Sequence, residues 1–217
     1  MKAGGLLCAA PALLIAACAA HLQSENNPEP SSAADLAAAI EADAKSSDHE
    51  SPAKVREALA DEAQRYAQAC LAHEPQNVAC LYGYAVALGL QARAHPTRAG
   101  ELLNTMLDAL GRAETVDANY DEAGPARVRA LVLIRAPGWP LGPGDVEAGV
   151  SAARRAVALR PLYPPNLLAL AEALNKAADS SGAQESYTRA RDAALALPVA
   201  ADRDEWLREA DRGLKRQ

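Results

Sequence analysis

From Pro52 onward the chain repeats one pattern, in which apolar residues recur every three or four positions and polar residues stand between them. The first such segment, "VREALADEAQRYAQACLAH", places Val55, Leu59, Tyr66 and Cys70 along one stripe. This spacing matches the 3.6-residue period of an amphipathic helix. No segment alternates with period two for long enough to predict a strand.

Seven further helical stripes follow the first one, separated by short segments that contain Pro, Gly, Asn or Asp. The predicted helices span 78–93, 98–115, 122–135, 146–159, 166–178, 183–196 and 202–215. The pattern therefore predicts an all-α protein.

The predicted helices form related pairs. Pro75 and Pro161 each open the turn after a helix and lie 86 residues apart, which is two periods of 43, with Ala118 halfway between them. Tyr120 and Tyr163 are also 43 residues apart. A small residue stands five positions before each of the three markers, at Cys70, Ala113 and Ala156. Small residues at a recurring position allow adjacent helices to approach closely.

Two helices followed by a proline are typical of the tetratricopeptide repeat, whose period is about 34 residues. Here the W-x₂-L-G-x₂-Y signature is absent, and the period is longer, so the extra residues are expected in the loops at 91–100 and 135–145. We predict a tetratricopeptide-like helical repeat, an α-solenoid, of about eight or nine helices. Because such units bury little surface without neighbours, segment 52–217 is expected to fold as one domain.

The N-terminus differs from the rest of the chain. Residues 1–17 contain one lysine and a short apolar run, which predicts a signal peptide. The run ends in "LIAAC", which resembles the bacterial lipobox and implies cleavage before Cys18 and acylation of that residue. The alternative is an ordinary signal peptide that is cut near Ala20. Lipidation would place the protein in the cell envelope, facing the periplasm and held by the bilayer, and Ala19 in place of Asp favours the outer membrane.

Residues 18–51 are rich in Ser, Asn, Pro, Glu and Ala. This composition buries too little apolar surface to offset the entropy of ordering, so it predicts a flexible tether. A short helix at 35–45, capped by Ser32 or Asp35, is compatible with the pattern.

Composition and charge exclude several classes of function. Phe is absent and aromatic residues make up 4% of the chain, so Leu, Val and Ala must build the core. The chain has 22 basic and 28 acidic residues and no basic stripe, which argues against nucleic-acid binding. The sequence contains no G-x-S-x-G or phosphate-loop motif, and its four histidines lack metal-ligand spacing. We therefore predict neither catalysis nor a cofactor.

Residues 120–174 resemble the TatT component family of TRAP transporters, the tripartite ATP-independent periplasmic transporters. The resemblance rests on "GPARV", "APGWP", "GD" at a helix start, and "YPPNLLALAEAL", in that order, and extends loosely over 52–197. It implies a periplasmic, tetratricopeptide-like lipoprotein that partners a solute-binding protein. It also implies a central pore that holds an apolar or organic-acid ligand.

Five residues are candidates for a ligand or partner groove: Tyr82, Arg127, Arg135, Trp139 and Asn166. Arg127 and Arg135 are eight residues apart and can share one helix face. They would bind a carboxylate ligand or else pair with nearby acids, namely Asp145, Glu147 or Glu172. Trp139 would either pin the Gly/Pro loop to the helix ends or border the groove.

Cys70 and Cys80 lie at equal distances from Pro75, on opposite sides of the turn between two helices. An exported compartment is oxidising, so the two residues would form a disulfide or remain as small buried thiols.

Three functions are compatible with these observations. We favour a non-enzymatic, membrane-anchored adaptor that binds a periplasmic protein, such as a TRAP solute-binding protein, with oligomerisation left open. The alternatives are a small-ligand carrier with an internal pore and an envelope-assembly scaffold that binds peptide segments.

Overall fold

The computed structural model describes residues 32–48 and 52–216. Within that part of the chain it contains nine α-helices, one 3-10 turn at Pro96–Arg98 and no β-strand. The helices are α1 (Ala33–Asp48), α2 (Ala53–His73), α3 (Val78–Ala94), α4 (Ala99–Val116), α5 (Tyr120–Arg135), α6 (Val146–Leu159), α7 (Pro164–Lys176), α8 (Ser180–Leu195) and α9 (Ala201–Lys215). None of these described helices is long and apolar enough to cross a membrane.

Local sequence sets several helix starts. Asn77, Asp145 and Asp179 each accept a backbone N–H of the following turn, which caps α3, α6 and α8. Pro164 occupies the first position of α7, where its missing N–H costs no hydrogen bond. At α1, Ser32 Oγ accepts the backbone N–H of Asp35 at 3.1 Å, so Ser32 is the cap.

The helices form two layers. Each helix packs against the next one along the chain, and α1, α3, α5, α7 and α9 also pack in succession against one another. We call these five helices the inner layer. Among the described helices, α2, α4, α6 and α8 contact only their neighbours in sequence, so they form the outer layer. The predicted all-α helical repeat is confirmed.

The 43-residue period is visible in this arrangement. Helices α3, α5 and α7 begin at Val78, Tyr120 and Pro164, close to the predicted spacing. The three small markers at the ends of α2, α4 and α6 are completely buried: Cys70, Ala113 and Ala156. Each one lies where an outer helix turns into the next inner helix, so a larger side chain would push the two helices apart.

Helix α1 lies inside segment 18–51, for which the composition predicts a tether with a short helix. In the structure this helix is longer, Ala33–Asp48, and it packs on α2 and α3. Leu36 and Ile40 are buried in that contact. A Cβ at Gly83 of α3 would lie 2.9 Å from Ile40 Cδ1, so glycine provides the room for α1. The helical domain therefore includes α1, which lies before the predicted boundary at Pro52.

Candidate binding site

The inner layer surrounds a cavity of about 530 Å³. All five inner helices contribute side chains to its wall, including Ile40, Tyr82, Asp121, Tyr163 and Trp206. We call it the aromatic cavity. No outer-layer helix lines it among the described residues, so it is a property of the stacked repeat rather than of one hairpin.

Four aromatic side chains meet at this cavity, although the chain has only six Tyr and two Trp. The rings of Tyr82 and Tyr120 meet edge to face with centroids 5.4 Å apart. Those of Tyr163 and Trp206 do so at 5.7 Å. All four side chains are partly exposed, so they form the wall of a cavity and are not core residues.

Arg127 is the centre of the polar wall. Its Nη2 donates to Asp121 Oδ2 at 2.7 Å, and the Tyr82 hydroxyl donates to the same oxygen at 2.8 Å. The guanidinium also lies over the Tyr163 ring, 5.3 Å from its centroid. Burial, and then the Asp121 charge, raise the pKa of Tyr82 far above its usual value, so this hydroxyl keeps its proton as a donor.

Asn166 supports Arg127 from behind the cavity wall. It is completely buried, and its Oδ1 accepts from Arg127 Nη1 at 3.1 Å. Its Nδ2 donates to the carbonyl of Glu122 at 2.9 Å and to that of Ala156 at 3.2 Å. Because both ends of the amide have partners, Asn166 is a positioning residue.

The start of α5 has an unusual backbone. Asp121, Glu122 and Ala123 have φ angles of 48°, 53° and 65°, so three consecutive non-glycine residues are left-handed. Each such residue costs roughly 1–2 kcal/mol. Arg127 Nη1 donates to the carbonyls of Asp121 and Glu122, which offsets part of this cost. The turn holds Asp121 and the neighbouring Tyr120 at the cavity.

Carboxylates exceed cations around the cavity. Its wall contains Glu41, Asp121 and Asp202, against Lys45 and Arg127. Lys45 Nζ pairs with Glu41 at 2.9 Å, and Arg127 pairs with Asp121. The hydrogen bond that Lys45 donates to Glu41 raises the pKa of Lys45, which stays charged at neutral pH. Both cations are thus already neutralised by a protein carboxylate.

A second cavity of about 500 Å³ adjoins the first, and Ala44 and Val86 border both. We call it the apolar cavity. Its wall is mainly aliphatic and comes from α1, α3, α4 and α5, including Leu103, Met106 and Val132. The surface that runs from the inner layer to outer helix α4 is therefore aromatic and charged in one part and aliphatic in the next.

The five predicted groove residues have different positions. Tyr82 and Arg127 line the aromatic cavity, and Asn166 lies buried behind it. Arg135 borders the apolar cavity and makes a bidentate pair with Glu172, with N–O distances of 2.8 Å and 2.6 Å. The structure therefore pairs both arginines with protein acids, which was the alternative to a carboxylate ligand.

Trp139 lies outside both cavities. Its side chain is 90% exposed, so it does not pin the loop to the helix ends. It lines a separate pocket of about 540 Å³ between its own loop and Gly100 and Asn104 of α4. Backbone hydrogen bonds close the loop instead, from Gly144 N–H to the Pro137 carbonyl and from Asp145 N–H to the Leu133 carbonyl, both 2.9 Å. The Leu141 carbonyl also packs against α4, where a Cβ at Gly100 would lie 2.8 Å from it. The glycines and prolines thus make a closed loop.

Three cavity residues, Tyr120, Tyr163 and Trp206, escaped the prediction of groove residues. Tyr120 and Tyr163 were visible as repeat markers 43 residues apart, and both stand at the start of an inner helix. Equivalent positions of a repeat face the same side of the stack, so the period alone could have located them. Trp206 lies on the terminal helix, where the repeat spacing shortens.

The remaining sequence predictions concern cysteines and metals. A disulfide joins Cys70 to Cys80, with their Cα atoms 5.3 Å apart. Cys18 lies outside the described residues, so its acylation stays a prediction. Among the described residues, no group of three or more His, Cys, Asp or Glu side chains is placed to hold a metal ion.

Comparisons with known proteins give distant likenesses to solved structures, two of which are crystal structures of MamA. No protein-family model and no curated protein matches the chain. The alignment with a crystal structure of MamA covers 73% of this chain and 86% of the MamA chain, with 18% sequence identity and a TM-score of 0.46. The alignment with a second structure, a crystal structure of MamA protein, covers 84% of this chain and 90% of that chain, with 16% identity and a TM-score of 0.45. Likenesses at this level do not identify a function.

Proposed function

We propose that this protein is a non-enzymatic adaptor that binds a segment of a partner protein on the inner face of its helical repeat. The observation that carries this proposal is the continuity of the aromatic and apolar cavities, which share Ala44 and Val86. A long surface with a polar and an aliphatic part suits an extended chain that presents different side chains in turn.

The chemistry of the inner face favours binding over catalysis. Arg127, Asp121 and Asn166 satisfy one another within the wall, so they shape the cavity and leave no polarised group for a reaction. The wall also lacks a nucleophile held by a neighbouring base among the described residues.

We further propose that the adaptor is anchored to the bacterial envelope through acylated Cys18 and faces the periplasm from the outer membrane. The lipobox-like "LIAAC" supports this proposal. Mass spectrometry of the mature chain tests it, because a mature N-terminus other than acylated Cys18 would contradict it.

The partner suggested by the TatT resemblance is a solute-binding protein of a TRAP transporter. The residues behind that resemblance fall in α5, the 136–145 loop, α6 and α7. Co-purification of the tagged protein with such a partner would support this assignment. Its absence while another partner is captured would contradict the transporter link and leave the adaptor proposal standing.

Site-specific photo-crosslinking tests the adaptor proposal directly. A photoreactive residue at Lys45 would face the aromatic cavity, and the Lys45 side chain is 73% exposed, so the exchange should be tolerated. The matched control is Glu185, which is exposed on outer helix α8. We expect a discrete protein adduct from position 45 only. Adducts at neither position, or equally at both, would contradict binding on the inner face.

The apolar cavity favours a second candidate function, that of a small-ligand carrier. Its volume of about 500 Å³ falls within the usual range of small-molecule sites. Native mass spectrometry of the protein purified from its own envelope would distinguish the two functions. A stoichiometric small molecule would support the carrier, and a protein complex without one would support the adaptor.

A further inference from the structure

The aromatic cavity has an unusual composition for this chain. Half of the eight aromatic side chains in the chain line this one cavity: three come from α3, α5 and α9, and Tyr163 immediately precedes α7. Tyr82 and Tyr120 form one edge-to-face pair, and Tyr163 and Trp206 form the other. Aromatic faces carry partial negative charge and attract cations, with Trp the strongest.

The charges around these rings also favour a cation as the ligand. The two cations of the wall are each paired with a carboxylate, at 2.9 Å for Lys45 and 2.7 Å for Arg127. Asp202 is the third carboxylate of the wall, and its charge acts on Lys45 and Tyr163, so the wall carries one carboxylate more than it has cations. An incoming carboxylate would meet no unpaired cation here, whereas an incoming cation would meet Asp202.

The cavity wall already contains one contact of this type. The Arg127 guanidinium lies 5.3 Å from the centroid of the Tyr163 ring. Tyr163 also meets Trp206 edge to face, and Trp206 is on the same helix as Asp202. A second cation that enters beside Trp206 would therefore find an aromatic face and a carboxylate together.

We propose that the aromatic cavity binds the cationic side chain of an arginine or lysine in the partner segment, between the tyrosine and tryptophan rings and Asp202. This inference rests on the proposed adaptor function and specifies its ligand. The adjoining apolar cavity, reached past Val86, takes the aliphatic side chains that flank the basic residue. That continuity favours a polypeptide over a free amine.

The test uses the cavity's own tryptophan as a reporter. The chain has two tryptophans, and Trp139 is 90% exposed and outside the cavity, so Trp139→Phe leaves Trp206 as the single tryptophan, which is excited selectively over the tyrosines. The probe is the capped peptide Gly-Gly-Arg-Leu-Leu. Its matched controls carry citrulline, which has the same shape without the charge, or glutamate in place of arginine.

We expect the arginine peptide to change Trp206 fluorescence saturably and to bind at least about fivefold more tightly than the citrulline peptide, with weaker binding still for glutamate. Equal binding of the arginine and citrulline peptides would overturn the inference. Choline is a free cation without flanking side chains. Choline binding as tight as that of the arginine peptide would overturn the assignment to a partner segment.

Two variants locate the binding. Asp202→Asn should weaken the binding of the arginine peptide about fivefold and leave the binding of the citrulline peptide unchanged. Asp204→Asn is the matched control, because Asp204 is also exposed in the first turn of α9 but does not line the cavity. Tyr120→Leu, which removes one ring, should weaken the arginine peptide by a similar factor. Unchanged binding in both Asp202→Asn and Tyr120→Leu would overturn the inference.

The outcome separates this inference from the adaptor proposal. If Asp202→Asn still gives the protein adduct at position 45 and the arginine peptide does not bind, the cation inference is wrong and the adaptor stands. If the arginine peptide binds as expected and no protein adduct forms, the adaptor proposal is wrong.

Discussion

Asn166 on α7 and Arg127 on α5 hold each other inside the wall of the aromatic cavity, with 3.1 Å between Asn166 Oδ1 and Arg127 Nη1. The same asparagine donates to backbone carbonyls of α5 and α6. One buried amide therefore connects three consecutive helices, and it stands directly behind the left-handed turn that presents Asp121.

The first prediction concerns this amide. Asn166→Ala should lower the free energy of unfolding by about 2–4 kcal/mol, because it leaves a small cavity in a fully buried site and removes the hydrogen bonds that Asn166 makes with Arg127 and with the carbonyls of Glu122 and Ala156. Urea denaturation followed by circular dichroism measures the change. Asn104→Ala is the matched control, since Asn104 is exposed and bonds only to the Gly100 carbonyl of its own helix. A loss for Asn166→Ala no larger than the control's would contradict the assigned role.

The second prediction concerns the Cys70–Cys80 bridge. It closes a short loop around Pro75. Its removal should lower the free energy of unfolding by about 2–3 kcal/mol, mainly because the unfolded chain gains conformational entropy without the crosslink. The double change Cys70→Ser and Cys80→Ser should lower Tm, and a reducing agent should lower the Tm of the unaltered protein to about the same value. A reducing agent that also lowered the Tm of the double variant would indicate a different cause.

Helical periodicity predicted most of the fold because each helix buries one stripe. The predicted and observed bounds of α6 are both 146–159, and α3 differs by one residue. The prediction for α5 started at residue 122 and missed its first turn. Left-handed angles at Asp121 and Glu122 depend on Arg127 and Asn166, and the latter comes from a helix distant in sequence, so no local pattern indicates them.

The site was only partly predictable, for a similar reason. Tyr82 and Arg127 were named and do line the aromatic cavity, while Trp206 was not named. Trp139 was a candidate because it lies in the Gly/Pro loop and tryptophan is a favoured anchor residue at interfaces. Composition, however, does not tell on which side of a stack a loop side chain emerges. The docking of α1 escaped for another reason, because it depends on the space that Gly83 leaves for Ile40.

The third prediction concerns Trp139. Because its side chain is 90% exposed, Trp139→Ala should change the free energy of unfolding by less than about 0.5 kcal/mol. The matched control is Trp206→Ala, which removes a partly buried ring packed on Tyr163 and should cost about 2 kcal/mol. Thermal and urea unfolding compare the two. A loss above about 1 kcal/mol for Trp139→Ala would mean that this side chain does pin its loop.

The last prediction concerns pH and the docking of α1. Asp43 lies on α1 beside Glu62 and Arg65 of α2, and its Oδ2 is buried without a hydrogen-bond partner among the described residues. Burial, and then the charge of Glu62, raise the pKa of Asp43 from 3.8 to about 6, against a smaller lowering by Arg65. The folded state therefore holds the proton more tightly than the unfolded state does.

The sign follows from linkage. The contribution of Asp43 to stability is fully present below pH 3.8 and is lost as the pH rises through about 6, since the folded protein must then carry an unfavourable charge. Asp43→Asn removes that charge, so it should raise the free energy of unfolding at pH 7.5. Because the side chain is only partly buried, solvent screening limits this gain to about 1 kcal/mol. At pH 4.5 the gain should shrink towards zero. Urea denaturation at both pH values measures it, with Asp108→Asn, an exposed carboxylate on α4, as the control. An equal gain at both pH values would contradict the raised pKa, because the benefit would then not come from the charge on Asp43.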